Sequence, residues 1–151
     1  MLILRSFVIA FFIVFGSIIG AQASSMNFTL DKLVADGSAD CKGNFELDDN
    51  AVKRFDFNSD DEFDLVVLDE SGFSCEGSAS MYCGSAGCTV HLITPVDYSS
   101  GYVRSWEIIT TATDQRVILF SLHGISCEEA GTTPCYNVIS IFEGRFIVVA
   151  K

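Results

Sequence analysis

The chain has 151 residues, a formal net charge of −11 and a 49% apolar share, enough for one domain with a real core. Twenty Asp and Glu against nine Lys and Arg exclude a nucleic-acid binder, which needs a basic footprint, and work against attraction to anionic lipid. The surplus of acid suits a cation, a basic protein or ligand, or plain solubility.

The first residues read as an export leader. Arg5 supplies a short basic region, "FVIAFFIVFGSIIG" (7–20) an apolar core, and "AQA" (21–23) a small-residue cleavage site. Residues 1–23 are therefore expected to be a signal peptide cleaved after Ala23, leaving Ser24–Lys151 in the periplasm or secreted. The rival is an uncleaved N-terminal anchor, because the apolar run is near spanning length; the small residues at −3 and −1 favour cleavage. A lipoprotein does not fit, since the first cysteine is Cys41. No second apolar run has spanning length, so no stable membrane insertion is expected after cleavage.

Residues 24–50 form an N-terminal lead-in packed on the domain, with "NFTLDKLVADGSAD" (27–40) offering a short helix or irregular segment. From residue 51 to the end the apolar pattern is that of strands. "AVKRFDF" (51–57) alternates, and "FDLVVLDE" (63–70) has a buried centre. "CTVHLIT" (88–94), "YVRSWEIIT" (102–110), "QRVILFSLH" (115–123), "YNVISIF" (136–142) and "RFIVVA" (145–150) follow. "DYSSGY" (97–102), "TATDQ" (111–115) and Glu143-Gly144 read as hairpin turns. The expected fold is all-β: an antiparallel meander of about seven to eight strands, closed into a two-sheet sandwich or a strongly curved sheet.

All six cysteines lie beyond the leader: Cys41, Cys75, Cys83, Cys88, Cys127 and Cys135. An even count in an exported chain implies three disulfides, with fifteen connectivities open. "GSAG" between Cys83 and Cys88, and "EEAGTTP" between Cys127 and Cys135, have loop composition. That favours 83–88 and 127–135, which leaves 41–75.

The densest chemistry is in "DFNSDDEFDLVVLD" (56–69). With Asp56 as loop position 1, Asn58 is position 3, Asp60 position 5, Glu62 position 7 and Asp64 position 9. Alternate residues of a tight loop can converge, and a hard dication such as Ca²⁺ takes six to eight oxygens. Asp56, Asn58, Asp60 and Asp64 offer side-chain oxygens and Glu62 a backbone carbonyl; no soft ligand is present. It is not an EF-hand, which needs Gly at position 6 and Glu at position 12, where this chain has Asp61 and Val67.

"DFNSDDEFDLVV" resembles the calcium loop of FG-GAP and VCBS repeats, D-x-[DN]-x-D-G-x-x-D-[LIY]-V, which joins two strands. The resemblance implies Ca²⁺ as cofactor, with Asp56, Asn58, Asp60 and Asp64 as side-chain ligands and Glu62 as backbone ligand. Asp61 stands where those loops have Gly, because the backbone there turns through positive φ. Asp reaches that region at a cost of about 1 kcal/mol, so the expected affinity is weak, about 0.1–1 mM. More widely, residues 50–146 resemble a group of small exported proteobacterial proteins that share an acidic loop, a C-G-S-x-G-C motif and a terminal hairpin. That likeness implies a periplasmic location and no known enzyme activity.

Other chemistries have weaker spacing. Cys83, Cys88 and His91, with Cys75, have the makings of a zinc site, but in an oxidising compartment the thiols form disulfides. His123 with Ser85 or Ser126 is a conceivable catalytic pair, though nothing in the sequence joins them. Trp106 reads as a core or sheet-face residue, and Arg54, Arg104 and Arg116 as partners for the surplus acids. The sequence thus points to an exported, calcium-stabilised β domain that acts as a non-catalytic binding module. A small extracytoplasmic enzyme, or an enzyme inhibitor using the disulfide-bounded loops, is the alternative.

Overall fold

A computed structural model describes residues 17–78, 81–133 and 135–150, with side chains from Ser24 onward. Most of the expected leader, residues 1–16, lies outside the described residues.

The described residues begin with α1, Ser17–Asp40, and continue into β1 (Phe45–Leu47), β2 (Val52–Phe55), β3 (Leu65–Asp69), β4 (Phe73–Cys75), β5 (Cys83–Gly84) and β6 (Gly87–Ile93). Then come β7 (Tyr98–Val103), β8 (Ser105–Thr110), β9 (Arg116–Leu122), β10 (Cys135–Phe142) and β11 (Arg145–Ala150). All pairings are antiparallel. β2, β3, β6 and β7 pair in turn, with β5 extending the β3 side of β6. A second sheet runs β8-β9-β10-β11 as a plain meander, and β1 with β4 forms a short ribbon. The fold is all-β and sandwich-like, which settles the choice between a sandwich and one curved sheet.

At β3 and the end of β6 the first sheet is buried on both faces, which is why β3 reads as an unbroken apolar run. Leu65 and Val67 face the second sheet, packing with Val90, Leu92, Ile118, Phe120 and Ile139. Val66 and Leu68 face the other way, against Met26 and Leu30 of α1 and Phe73 of β4. The lead-in is therefore a long helix that forms a third layer. Its apolar positions, Met26, Leu30 and Leu33 with Val34, recur at the three- and four-residue spacing of one helix face. Gly37 continues that face, and the Phe73 ring lies so close that an added Cβ would sit 2.6 Å from it. The Tyr82 hydroxyl donates to the Gly37 carbonyl at 2.8 Å, anchoring the helix end.

Two expectations fail at β7. "DYSSGY" is not a turn: its last five residues are the body of β7, and the turn lies earlier, at Thr94–Asp97. There Pro95 presets φ at the corner, the Asp97 N–H donates to Thr94 Oγ1, and the Thr94 N–H donates to the Asp97 carbonyl. Nor is "YVRSWEIIT" one strand. β7 belongs to the first sheet and β8 to the second, and the single residue Arg104 carries the chain across, its N–H donating to the Ser121 carbonyl. Core-facing positions are odd before the crossing (Val103) and even after it (Trp106, Ile108). Strands that change sheets need such a bend.

The other two hairpin turns form as expected. Glu143 and Gly144 both take positive φ, 50° and 73°, as a two-residue primed turn requires. In the β8–β9 turn Asp114 has φ 62° and the Thr111 N–H donates to the Gln115 carbonyl. The disulfides are Cys41–Cys75, Cys83–Cys88 and Cys127–Cys135, leaving no free cysteine. This pairing removes the thiolates a zinc site at Cys83, Cys88 and His91 would need.

Candidate functional site

The acidic loop joins β2 to β3, closed at its base by the Asp64 N–H donating to the Phe55 carbonyl. Its side chains fold inward onto its own backbone. Asp56 accepts from the N–H groups of Ser59 and Asp60 through Oδ1, at 2.6 and 3.3 Å, and of Asp61 through Oδ2, at 3.0 Å. Asp64 Oδ2 accepts from Phe57 and Asn58, at 2.9 and 3.1 Å. Asn58 Oδ1 accepts from Asp60 N–H, and Asp60 Oδ1 from Glu62 N–H. Asp61 has φ 70° and Ser59 has φ 65°. Asp61 thus takes the conformation for which a glycine is favoured at this point.

Asp56, Asn58, Asp60 and Asp64 are therefore brought together in one turn. The Asn58 side-chain amide sits between two carboxylates, donating to Asp60 Oδ2 at 2.9 Å and Asp64 Oδ1 at 3.3 Å. Glu62 enters the network only through its N–H. Among the described residues no three His, Cys, Asp or Glu side chains draw together as a ready-made metal cluster. Here the carboxylates are turned onto N–H groups instead. The donor set is nonetheless all oxygen, the hard type that Ca²⁺ takes, and Asp60 Oδ2 and Asp64 Oδ1 have only a neutral amide as partner in the loop.

Arg116 of β9 reaches this loop and donates to the Asp56 carbonyl. The expectation that Arg54, Arg104 and Arg116 pair with acids is corrected for Arg54 and Arg104, while the Arg116 charge acts on the Asp56 carboxyl. Arg54 donates to Asn27 Oδ1 and Arg104 to the Gly131 carbonyl, so guanidinium forks here tie segments together through neutral acceptors. Burial is the largest single influence on the Asp56 carboxyl and raises its pKa. The N–H groups of Asp61, Ser59 and Asp60, with the Arg116 charge, together outweigh it, and the pKa falls below the ordinary 3.8. A carboxyl lowered by folding stabilises the fold above its unfolded value, and that contribution disappears as pH falls through the folded value. Melting temperature followed from about pH 5 to about pH 2 should drop less steeply in Asp56→Asn than in the wild type. Equal slopes would clear Asp56 of the effect.

Beside the loop lies a polar cleft of about 410 Å³, bounded by Phe57, Asn58 and Asp64 on one side and by Arg116, Glu143 and Gly144 on the other. Loop and cleft share a wall, so a cation held by Asp60 and Asp64 would border it.

The histidines have structural partners. His91 is buried on the helix side of β6, its Nε2 2.8 Å from Glu70 Oε1 and its Nδ1 2.8 Å from the Tyr98 hydroxyl. Buried polar groups demand such partners. Nothing in the spacing marks this trio, since Glu70 lies in a 3₁₀ turn 21 residues before His91. His123 Nδ1 accepts from Ile125 N–H at the start of a short 3₁₀ turn. Trp106 packs edge-on to Phe55 and donates to Asp69 Oδ2 at 2.7 Å, the sheet-face role expected of it.

The chain matches no protein-family model, no curated protein and no solved structure. Among the described residues no helix is long and apolar enough to cross a membrane. Three disulfides in a small all-β domain are consistent with an extracytoplasmic location.

Proposed function

We propose that this chain is an exported, calcium-stabilised β domain that serves as a non-catalytic binding module in the periplasm or outside the cell. The observation that carries the reading is the β2–β3 loop. Its four oxygen-bearing side chains gather in one turn, and Asp61 holds the positive φ that calcium loops of the FG-GAP and VCBS type assign to glycine. Asp56, Asn58, Asp60 and Asp64 would hold the ion through side chains and Glu62 through its carbonyl. Ca²⁺ would supply charge neutralisation, removing the repulsion among the loop's acids. Bound only to the folded loop, it would stabilise by about 1.4 kcal/mol at tenfold excess over Kd. Export is supported by the leader-like first residues and by the complete pairing of the cysteines.

Thermal melts in millimolar CaCl₂ and in chelator test the reading. The expected result is a melting temperature about 3–6 °C higher with calcium, with the difference abolished in Asp60→Ala. Identical melts at millimolar calcium would sink the metal site.

A further inference from the structure

We propose that the space between the two sheets behind β7 is a binding cleft for a small neutral amphiphile that carries one O–H or N–H donor. The cleft is distinct from the acidic loop and its polar cleft. Its volume is about 330 Å³, at the lower end of small-molecule sites, which run from roughly 300 to 1,000 Å³.

The sequence builds this space by leaving side chains out. Register pairs Leu92 with Ser99, Val90 with Gly101 and Cys88 with Val103. Directly opposed residues share a face, so Ser99 and Gly101 stand on the core side of β7. Both are small where a sandwich strand ordinarily carries Val, Ile or Phe. A Cβ built on Gly101 meets nothing within 4 Å. The walls are core residues, Val90, Leu92, Phe120 and Ile139, and the half-exposed Val148 stands at the mouth.

One polar group interrupts the apolar lining. Asn137 is paired with Phe120 across β9–β10 and so faces the core, in the same row as Ile139. Its Oδ1 is buried and has no hydrogen-bond partner among the described residues. A buried acceptor without a partner is a standing cost to the fold, and such local violations of pattern gather at functional positions. No charged side chain lines the cleft. An ion buried there would have no counter-charge, which selects a neutral ligand. The apolar body would lie along Leu92, Phe120 and Val148, and its single donor would meet Asn137 Oδ1.

The test uses N-phenyl-1-naphthylamine, a neutral aromatic probe with one N–H, and its N-methyl analogue, which has none. The wild type should enhance the fluorescence of the first, and bind it about five- to tenfold more tightly than the second, the worth of one hydrogen bond. Gly101→Val and Ser99→Val fill the cleft, and each variant with the wild-type circular dichroism should lose the enhancement. Should one of them fail to fold, the other carries the same comparison. No enhancement in the wild type, or enhancement retained in a folded filled variant, would overturn the cleft. Equal affinity for the two probes would overturn the assignment of a donor ligand to Asn137 and leave the acceptor to water.

Discussion

Gly87→Ala should destabilise the protein by about 4 kcal/mol, seen in urea unfolding and as a fall in melting temperature of about 10–20 °C. Gly87 opens β6 with φ 121°, a region closed to side chains. A Cβ there would lie 2.0 Å from the Val103 carbonyl oxygen and 2.9 Å from Arg104 N. That obstacle is backbone, at the point where the chain leaves one sheet for the other, so it cannot swing aside as a side chain would. Gly84, on the facing residue of the same disulfide-closed hairpin, has nothing within 4 Å of an added Cβ. Gly84→Ala should therefore cost less than about 1 kcal/mol. Equal losses in the two variants would mean that the hairpin as a whole is fragile and that the Gly87 approach carries no special weight.

Removal of the Cys41–Cys75 bond by a double Cys→Ala replacement should cost about 4 kcal/mol. It closes a separation of 34 residues, and the chain-entropy term grows with loop length. The separations of 5 and 8 residues at the other two bonds give about 2–2.5 kcal/mol each by the same relation. The first bond also fastens the end of α1 to β4. Without it, the helix keeps its place through the packing of Met26, Leu30, Leu33 and Val34 and through the Arg54–Asn27 and Tyr82–Gly37 hydrogen bonds. Amide exchange should accelerate in α1 well before it does in β3 and β6. Exchange that rises evenly across the molecule would show that the helix and the first sheet open as one unit.

Much of the fold is legible in the residues. The strands at β2, β3, β6, β9, β10 and β11 follow from apolar alternation or, for β3, from an apolar run bounded by acids. Loop composition alone orders the three disulfides. What escaped has physical reasons. β1, β4 and β5 are two or three residues long, too short for any period to register. β7 hid because Ser99, Ser100 and Gly101 have turn composition, and its place in the sheet is decided by pairing with β6. The helix reads as short because Ser, Gly and Asp dilute its stripe. Its hold on the molecule is tertiary, through the face of β3 that a lone strand pattern cannot assign. For the acidic loop, spacing identified which side chains would gather. It could not show that Asn58 would lie between two carboxylates, nor that Arg116, 60 positions from Asp56, would cap the loop from β9. The residues do carry one signal of the crossing: Val103 and Trp106 are three apart, and a spacing of three within an alternating run marks a strand that has changed sides.

The crossing at Arg104 bears on how this chain can vary. One residue stands between an odd-numbered core row in β7 and an even-numbered row in β8. Its side chain serves the fold only through a carbonyl in a neighbouring loop, so many residue types would satisfy the join. Its count is another matter. Deleting it would merge the two rows into a single alternation on one face, and a continuous strand of that kind stays in one sheet, so either β7 would leave β6 or β8 would leave β9. At this point the protein is constrained in length and permissive in identity, the reverse of Gly87, where the length is ordinary and only one amino acid fits.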